Sequence, residues 1–143
     1  MTMPEIAPQL LQDCHYLGRL PATALLLHRN ASLPWFILVP DTRLEDYLDL
    51  PSEHGCAVLA DCVAVSGFIK NVLGFSKVNF AGLGNVVPQM HLHVIGRSAQ
   101  DDCWPQPVWG NLQDGPPYAL EQLQEWQMSL VRMLNLHPAE LEV

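Results

Sequence analysis

Gly84-Asn85-Val86-Val87-Pro88-Gln89-Met90-His91-Leu92-His93-Val94-Ile95-Gly96-Arg97 is the stretch from which both the fold and the chemistry of this chain are read. From Gln89 to Ile95 polar and apolar residues alternate, which is the period of a strand with one buried face. Gln89, His91 and His93 then share one face, each about 6.6–6.8 Å from the next. Met90, Leu92 and Val94 turn to the core. Three hydrogen-bonding side chains in a row are a costly surface unless a ligand meets them. This face is therefore the first candidate site.

Working outward, Lys77-Val78-Asn79-Phe80 reads as a strand entering the loop that holds Gly82 and Gly84. Further upstream, Cys14 to Leu20 and Ala22 to His28 suit two strands. Arg29 to Pro34 is a turn by composition, and Trp35-Phe36-Ile37-Leu38-Val39, closed by Pro40, is a buried strand. Together these predict an antiparallel meander. Ser52 is a candidate cap for a helix reaching about Leu73, with Leu59, Cys62, Val63, Ser66, Ile69 and Val72 or Leu73 at helical spacing and Gly74 as its stop. A last helix follows Pro116-Pro117 and presents Leu123, Trp126, Leu130 and Leu134 on one face, with Pro138 beyond its end. Strands, helix, strands, helix is the order of an α+β fold with an antiparallel sheet. There is no internal repeat, low-complexity tract or linker, so one domain is expected over residues 1–143, with its motif-bearing core at about 14–110 and the last helix at about 117–136.

Composition narrows the function classes. Of 143 residues 49% are hydrophobic and 15% charged, enough to build a core and too apolar for disorder. Seven Lys plus Arg against fifteen Asp plus Glu give a net charge of −8, and the seven form no run. A nucleic-acid track is not expected. The segment Met1 to Leu10 has neither a basic start nor an apolar run, and no apolar stretch approaches the roughly 20 residues that span a bilayer. The expectation is a soluble, cytoplasmic protein without membrane association, in which Cys14, Cys56, Cys62 and Cys103 are reduced and mostly buried.

An imidazole suits attack on phosphorus near neutral pH, because it is largely unprotonated there and needs no separate base. A second imidazole two residues on can hydrogen-bond a phosphate oxygen or hand a proton to a leaving group. Amides around Gly84 to Val86 can add donors. A bland alternative stands beside this: His-x-His on a strand also serves as a metal ligand pair or a pocket wall. A zinc or iron site wants a third ligand, and the nearest acids after His93 are Asp101 and Asp102. No metal is assigned. His15, His54 and His137 fall near element ends and are expected to be solvated or structural. Trp104 and Trp109 could cover the site or a subunit contact, but with so many prolines around them packing within their own loop is expected.

Gln89-x-His91-x-His93 followed by two apolar residues resembles the motif of the histidine-triad superfamily, His-x-His-x-His followed by two apolar residues. The run from Ala24 to Arg29 and on through Pro34 to Val39 resembles the family's first hairpin, and Gly84-Asn85 resembles the glycine–glutamine pair before its motif. Asp101-Asp102-Cys103-Trp104-Pro105-Gln106-Pro107-Val108-Trp109-Gly110 is similar to a stretch of a bacterial branch of the superfamily. The resemblance implies a twisted antiparallel sheet of about five strands with one long helix and a C-terminal helix. It also implies a homodimer and a nucleotide hydrolase or nucleotidyl transferase that needs no cofactor and acts on a nucleotide or nucleotide conjugate.

Carried over to this sequence, the resemblance makes His91 the nucleophile that takes the nucleotidyl group. It makes His93 the contact to the phosphate and leaving group. Asn79 and Asn85, with the Gly84 to Val86 loop, become phosphate-oxygen ligands, and His28 a substrate-facing residue where the family usually holds Asn or Asp against the ribose. Gln89 replaces the first histidine, whose role is to orient the nucleophile. Glutamine can donate and accept hydrogen bonds but cannot carry a proton's charge. A nucleotide-binding or interaction module with weakened catalysis is the alternative reading, and Gln89 and His28 are its marks.

Overall fold

A computed structural model describes residues 5–142. Residues 1–4 and 143, at the two ends of the predicted domain, lie outside the described residues, as does the first part of the Met1 to Leu10 segment read for a leader. The chain builds one antiparallel sheet: β1 (Cys14–Arg19), β2 (Thr23–His28), β3 (Trp35–Pro40), β4 (Lys77–Gly82), β5 (Leu92–Arg97) and β6 (His137–Pro138), in the order β4-β5-β3-β2-β1-β6. Helices α1 (Pro8–Asp13), α2 (Ser52–Asn71) and α3 (Leu120–Leu134) complete it. This is the α+β fold expected from the sequence, with one strand more than the resemblance implied.

Both faces of the sheet are covered, which is why β2 and β3 read as continuous apolar runs rather than alternating ones. Leu25, Leu27, Phe36, Leu38, Leu92 and Val94 face α2 and α3, where Val58, Cys62, Val65, Phe68, Ile69, Leu123 and Leu130 meet them. The intervening residues Ala24, Leu26, Trp35, Ile37, Val39 and Ile95 face the other way, toward Leu10 of α1 and Val108. The candidate histidines belong to this second face. Gly96 lets β5 pass close beneath its cover, since a Cβ there would lie 2.6 Å from Pro34 and 2.8 Å from Ile69.

Several local expectations change. The inward face of α2 carries Val58, Asp61, Cys62, Val65, Phe68 and Ile69, whereas Leu59 and Val63 are 41% and 65% exposed. The helix is apolar nearly all round, so spacing alone cannot choose its face. Buried Asp61 decides it by accepting hydrogen bonds from the Ala22 amide (2.9 Å) and the Thr23 hydroxyl (2.8 Å) at the β1–β2 turn. Ser52 is not the cap: Pro51 holds that place, Ser52 is the first helical residue, and no side chain caps the helix. Strand β5 starts at Leu92 rather than near Gln89, because its ladder ends where Leu92 faces Gly82, the last residue of β4. The C-terminal stripe holds, with Leu123 and Leu130 buried and Trp126 and Leu134 packed on the same core. Pro138 lies beyond α3 as expected, and with His137 it forms β6 against β1.

All four cysteines are free. Cys14 and Cys62 are buried, Cys103 is half-buried, and Cys56 is exposed against the expectation of mostly buried thiols. Burial, the largest influence, pushes Cys14 and Cys62 up to about 12, so both stay protonated and inert. Among the described residues no helix is long and apolar enough to cross a membrane.

Candidate active site

His93 enters the site from β5, paired in register with Ile37 of β3 and Ala81 of β4. His91 sits one residue before the strand begins. Both rings are buried, with 8% and 5% exposure, and their centroids lie 5.0 Å apart at 69°. The His91 Nδ1 is 2.7 Å from the backbone carbonyl oxygen of Gln89. A carbonyl only accepts, so Nδ1 carries a proton, and in the neutral ring the lone pair is the one on Nε2. The His93 Nδ1 takes a 3.0 Å hydrogen bond from the indole N–H of Trp35. Trp109 stands edge-on to His93 at 4.9 Å and to Trp35 at 5.9 Å. On its other side Trp35 stacks on His28, centroids 4.3 Å apart and planes 10° from parallel. The His28 Nδ1 accepts the Asn30 amide at 3.1 Å.

These groups line a cleft of about 410 Å³ whose far walls come from α1, the start of β1 and the Gly84–Val87 loop. Gly84 has φ +69°, the left-handed region, and its turn aims the loop at the cleft. His91 also borders a second hollow of about 450 Å³, between Glu45–Asp49 and the end of β4. Among the described residues no three His, Cys, Asp or Glu side chains are grouped so as to hold a metal ion.

Of the candidate residues, the cleft brings together His28, Gly84, Asn85, Val86, His91 and His93. Gln89 and Asn79 are placed differently. The Gln89 side chain accepts from the Ala7 amide (2.7 Å) and donates to the Glu5 carbonyl (2.8 Å), so it fastens the N-terminal segment. Its backbone, and not its side chain, is what is bonded to His91. Asn79 lies opposite Ile95, and its Oδ1 accepts from Arg97 at 2.8 Å, outside the cleft.

Arg97 is the most conspicuous group that sequence reasoning left unassigned. It is 1% exposed and pairs with Asp101 at 2.8 Å, donates to the Gln106 carbonyl at 2.8 Å, and lies 5.6 Å over the Trp104 ring. Asp101 also takes the amides of Ser98 and Cys103. This knot ties the loop to the end of β5: Trp104 packs on Arg97, while Trp109, expected to pack within its loop, is a wall of the cleft beside His93. His15, His54 and His137 lie outside the cleft.

Burial, then the neighbouring His91 and His28, lower His93 from 6.5 to about 3. Burial also lowers His28, partly offset by Asp13. For His93 the unfolded chain binds a proton below about pH 6.5 while the folded chain does not until about pH 3, so stability falls as pH falls through that window. The slope from one such group approaches about 1.4 kcal/mol per pH unit. His93→Gln has nothing to titrate there, and urea unfolding at pH 7, 5.5 and 4.5 should show a flatter decline for the variant than for the wild type. Parallel declines would mean that His93 is not held neutral.

The sequence pattern of the HIT domain family matches residues 9–100. The fold is similar to that of a histidine triad protein from Marinobacter aquaeolei VT8, 36% identical over 94% of this chain and 98% of that one, with a TM-score of 0.85. A histidine triad protein from Bradyrhizobium japonicum is 30% identical over 93% and 99% of the two chains, with a TM-score of 0.85. One from Sinorhizobium meliloti 1021 is 28% identical over 91% and 96%, with a TM-score of 0.84. No functionally curated protein matches the chain.

Proposed function

Because the chain belongs to the HIT domain family, we propose that it is a nucleotide hydrolase or nucleotidyl transferase acting through a covalent nucleotidyl intermediate on His91. Family membership supports nucleotide binding or hydrolase and transferase chemistry in general. The finer reading rests on one observation: the His91 Nδ1 donates to the Gln89 carbonyl in the wall of the cleft, so that in the neutral ring Nε2 holds the lone pair. That lone pair attacks the phosphorus of a nucleotide conjugate, and the bond to the leaving group breaks with its electrons going to the departing atom. Water or another acceptor then attacks the phosphorus, the P–N bond returns its pair to His91, and the acceptor's proton goes to solvent. His93 and amides of the Gly84–Val86 loop hold the phosphoryl oxygens. His28, stacked on Trp35, faces the rest of the nucleotide. A homodimer in the cytoplasm belongs to the same proposal; β4 is an edge strand with Phe80 half exposed, a surface suited to a second copy.

One observation favours the second reading, a nucleotide-binding module with weak or lost catalysis: the Gln89 side chain is spent on the N-terminal segment. A panel of dinucleoside polyphosphates, nucleoside phosphoramidates, nucleotide sugars and acyl nucleotides separates the two. Chromatographic detection of nucleoside monophosphate release from any member supports the enzyme. Calorimetric binding without release from any member supports the module. Neither binding nor release would overturn both.

A further inference from the structure

Three imidazoles face the cleft, and each has its Nδ1 fixed by a partner of known polarity. The His91 Nδ1 donates to a carbonyl, the His28 Nδ1 accepts a backbone amide, and the His93 Nδ1 accepts an indole N–H. We propose that Trp35 is a positioning residue that locks His93 as the neutral tautomer with its proton on Nε2, so that His93 grips the phosphoryl oxygens as a hydrogen-bond donor and does not supply a proton to the leaving group. This rests on the nucleotidyl-transfer reading for its consequence, although the tautomer itself does not depend on turnover.

An indole nitrogen can only donate. A proton added to Nδ1 of His93 would set two N–H groups against each other at 3.0 Å, in a place where Trp35 is 8% and His93 5% exposed. Nor is the ring free to turn away, since Trp109 stands edge-on to it at 4.9 Å and His91 at 5.0 Å. Burial and the two neighbouring imidazoles act in the same direction. For neutral His93 to give up its Nε2 proton it would have to become an anion.

The other titratable groups that border the cleft do not take over the task. His28 is held in the same neutral tautomer by Asn30. Asp13 is occupied by Gln9, which donates to both of its oxygens, and the buried Cys14 thiol is pushed up to about 12. The three imidazoles thus present one lone pair, on His91, and two N–H donors with no proton to release. When His91 attacks, the bond from phosphorus to the leaving oxygen breaks and its electron pair stays on that oxygen, with no proton delivered by His93. The first step must therefore depend steeply on how well the leaving group carries negative charge.

Trp35→Phe keeps an aromatic ring between His28 and Trp109 and deletes only the N–H. Adenosine 5′-phosphate esters of a series of substituted phenols test the consequence through kcat/KM, which reports the first step. The wild type should lose activity steeply as the phenol becomes less acidic. Trp35→Phe should be about 10-fold weaker on the most acidic phenol and show a clearly shallower dependence, because His93 can then take up and pass on a proton. A slope equal to that of the wild type in folded Trp35→Phe overturns the proposal. Nitrogen-15 NMR of the histidines in the wild-type protein gives an answer that survives failure of the variant to fold or of the esters to react. Expected is a His93 with bare Nδ1 and protonated Nε2 throughout pH 5 to 8; a proton on Nδ1, or titration near 6.5, overturns it. Absence of turnover on every ester counts against the nucleotidyl-transfer reading and leaves the NMR result to decide the role of Trp35.

Discussion

His91→Ala is expected to lower turnover of any nucleotide substrate by about 10⁴-fold or more, the scale on which loss of a covalent nucleophile acts. The proposal gives the ring one job that no neighbour can assume. Its Nε2 is the free lone pair among the three imidazoles, since His28 and His93 spend theirs at Nδ1 on Asn30 and Trp35. Residual activity would come from direct attack by water on a phosphoryl group still held by His93 and the Gly84–Val86 amides. Those contacts survive in the variant, so KM should change little while kcat collapses. Steady-state kinetics and equilibrium binding of wild type and variant decide it. A variant that keeps more than about a tenth of wild-type kcat would remove His91 from the nucleophile's role, which covalent catalysis does not allow it to share.

Asp101→Ala should cost about 3 to 5 kcal/mol of folding stability, the range for breaking a buried ion pair from one side. Both members are almost wholly buried, with 1% and 3% side-chain exposure, and the carboxylate also takes the Ser98 and Cys103 amides. Its removal leaves a guanidinium in the interior whose other acceptors, among the described residues, are Asn79 and the Gln106 carbonyl oxygen, together with a thiol contact to Cys103. The midpoint of thermal unfolding should fall by about 10 °C for a chain of this size. Arg97→Met paired with Asp101→Leu, which removes both charges, should be less damaging than the sum of the single changes. Additive losses, or a shift of 2 °C or less for Asp101→Ala, would mean that this pair does not hold the loop.

How far the fold and the site can be read from residues alone follows from where the interactions lie. The meander β1 to β3 is legible because Leu25-Leu26-Leu27 and Trp35 to Val39 are buried on both faces, which leaves few other arrangements for so apolar a run. His91 and His93 are legible because their alternation is local. The same alternation misleads at Gln89, where the polar–apolar pattern continues past the last ladder pair at Leu92 and Gly82. Helix α1 is six residues long with Pro8 in its first turn, too short for periodicity to register. Trp35 is legible as a strand residue but not as a partner of His93, because 58 residues separate them and only the register of β3 on β5 brings them together. Arg97 and Asp101 are four apart, a spacing that suggests a pair only on a helix, whereas here a loop closes it. The polar side chains whose pairing depends on strand register or on the path of a loop are the ones the sequence conceals.

The most direct test of the central claim is intact-mass spectrometry of the protein quenched without acid during turnover of the nucleotide panel, in wild type and His91→Ala. A phosphorus–nitrogen bond is acid-labile, so the quench decides whether an intermediate survives to be weighed. The proposal predicts a wild-type species heavier by one nucleotidyl group, absent from His91→Ala and lost as the substrate is exhausted. Rapid turnover with no such species at any time point, or the same adduct on His91→Ala, would contradict it.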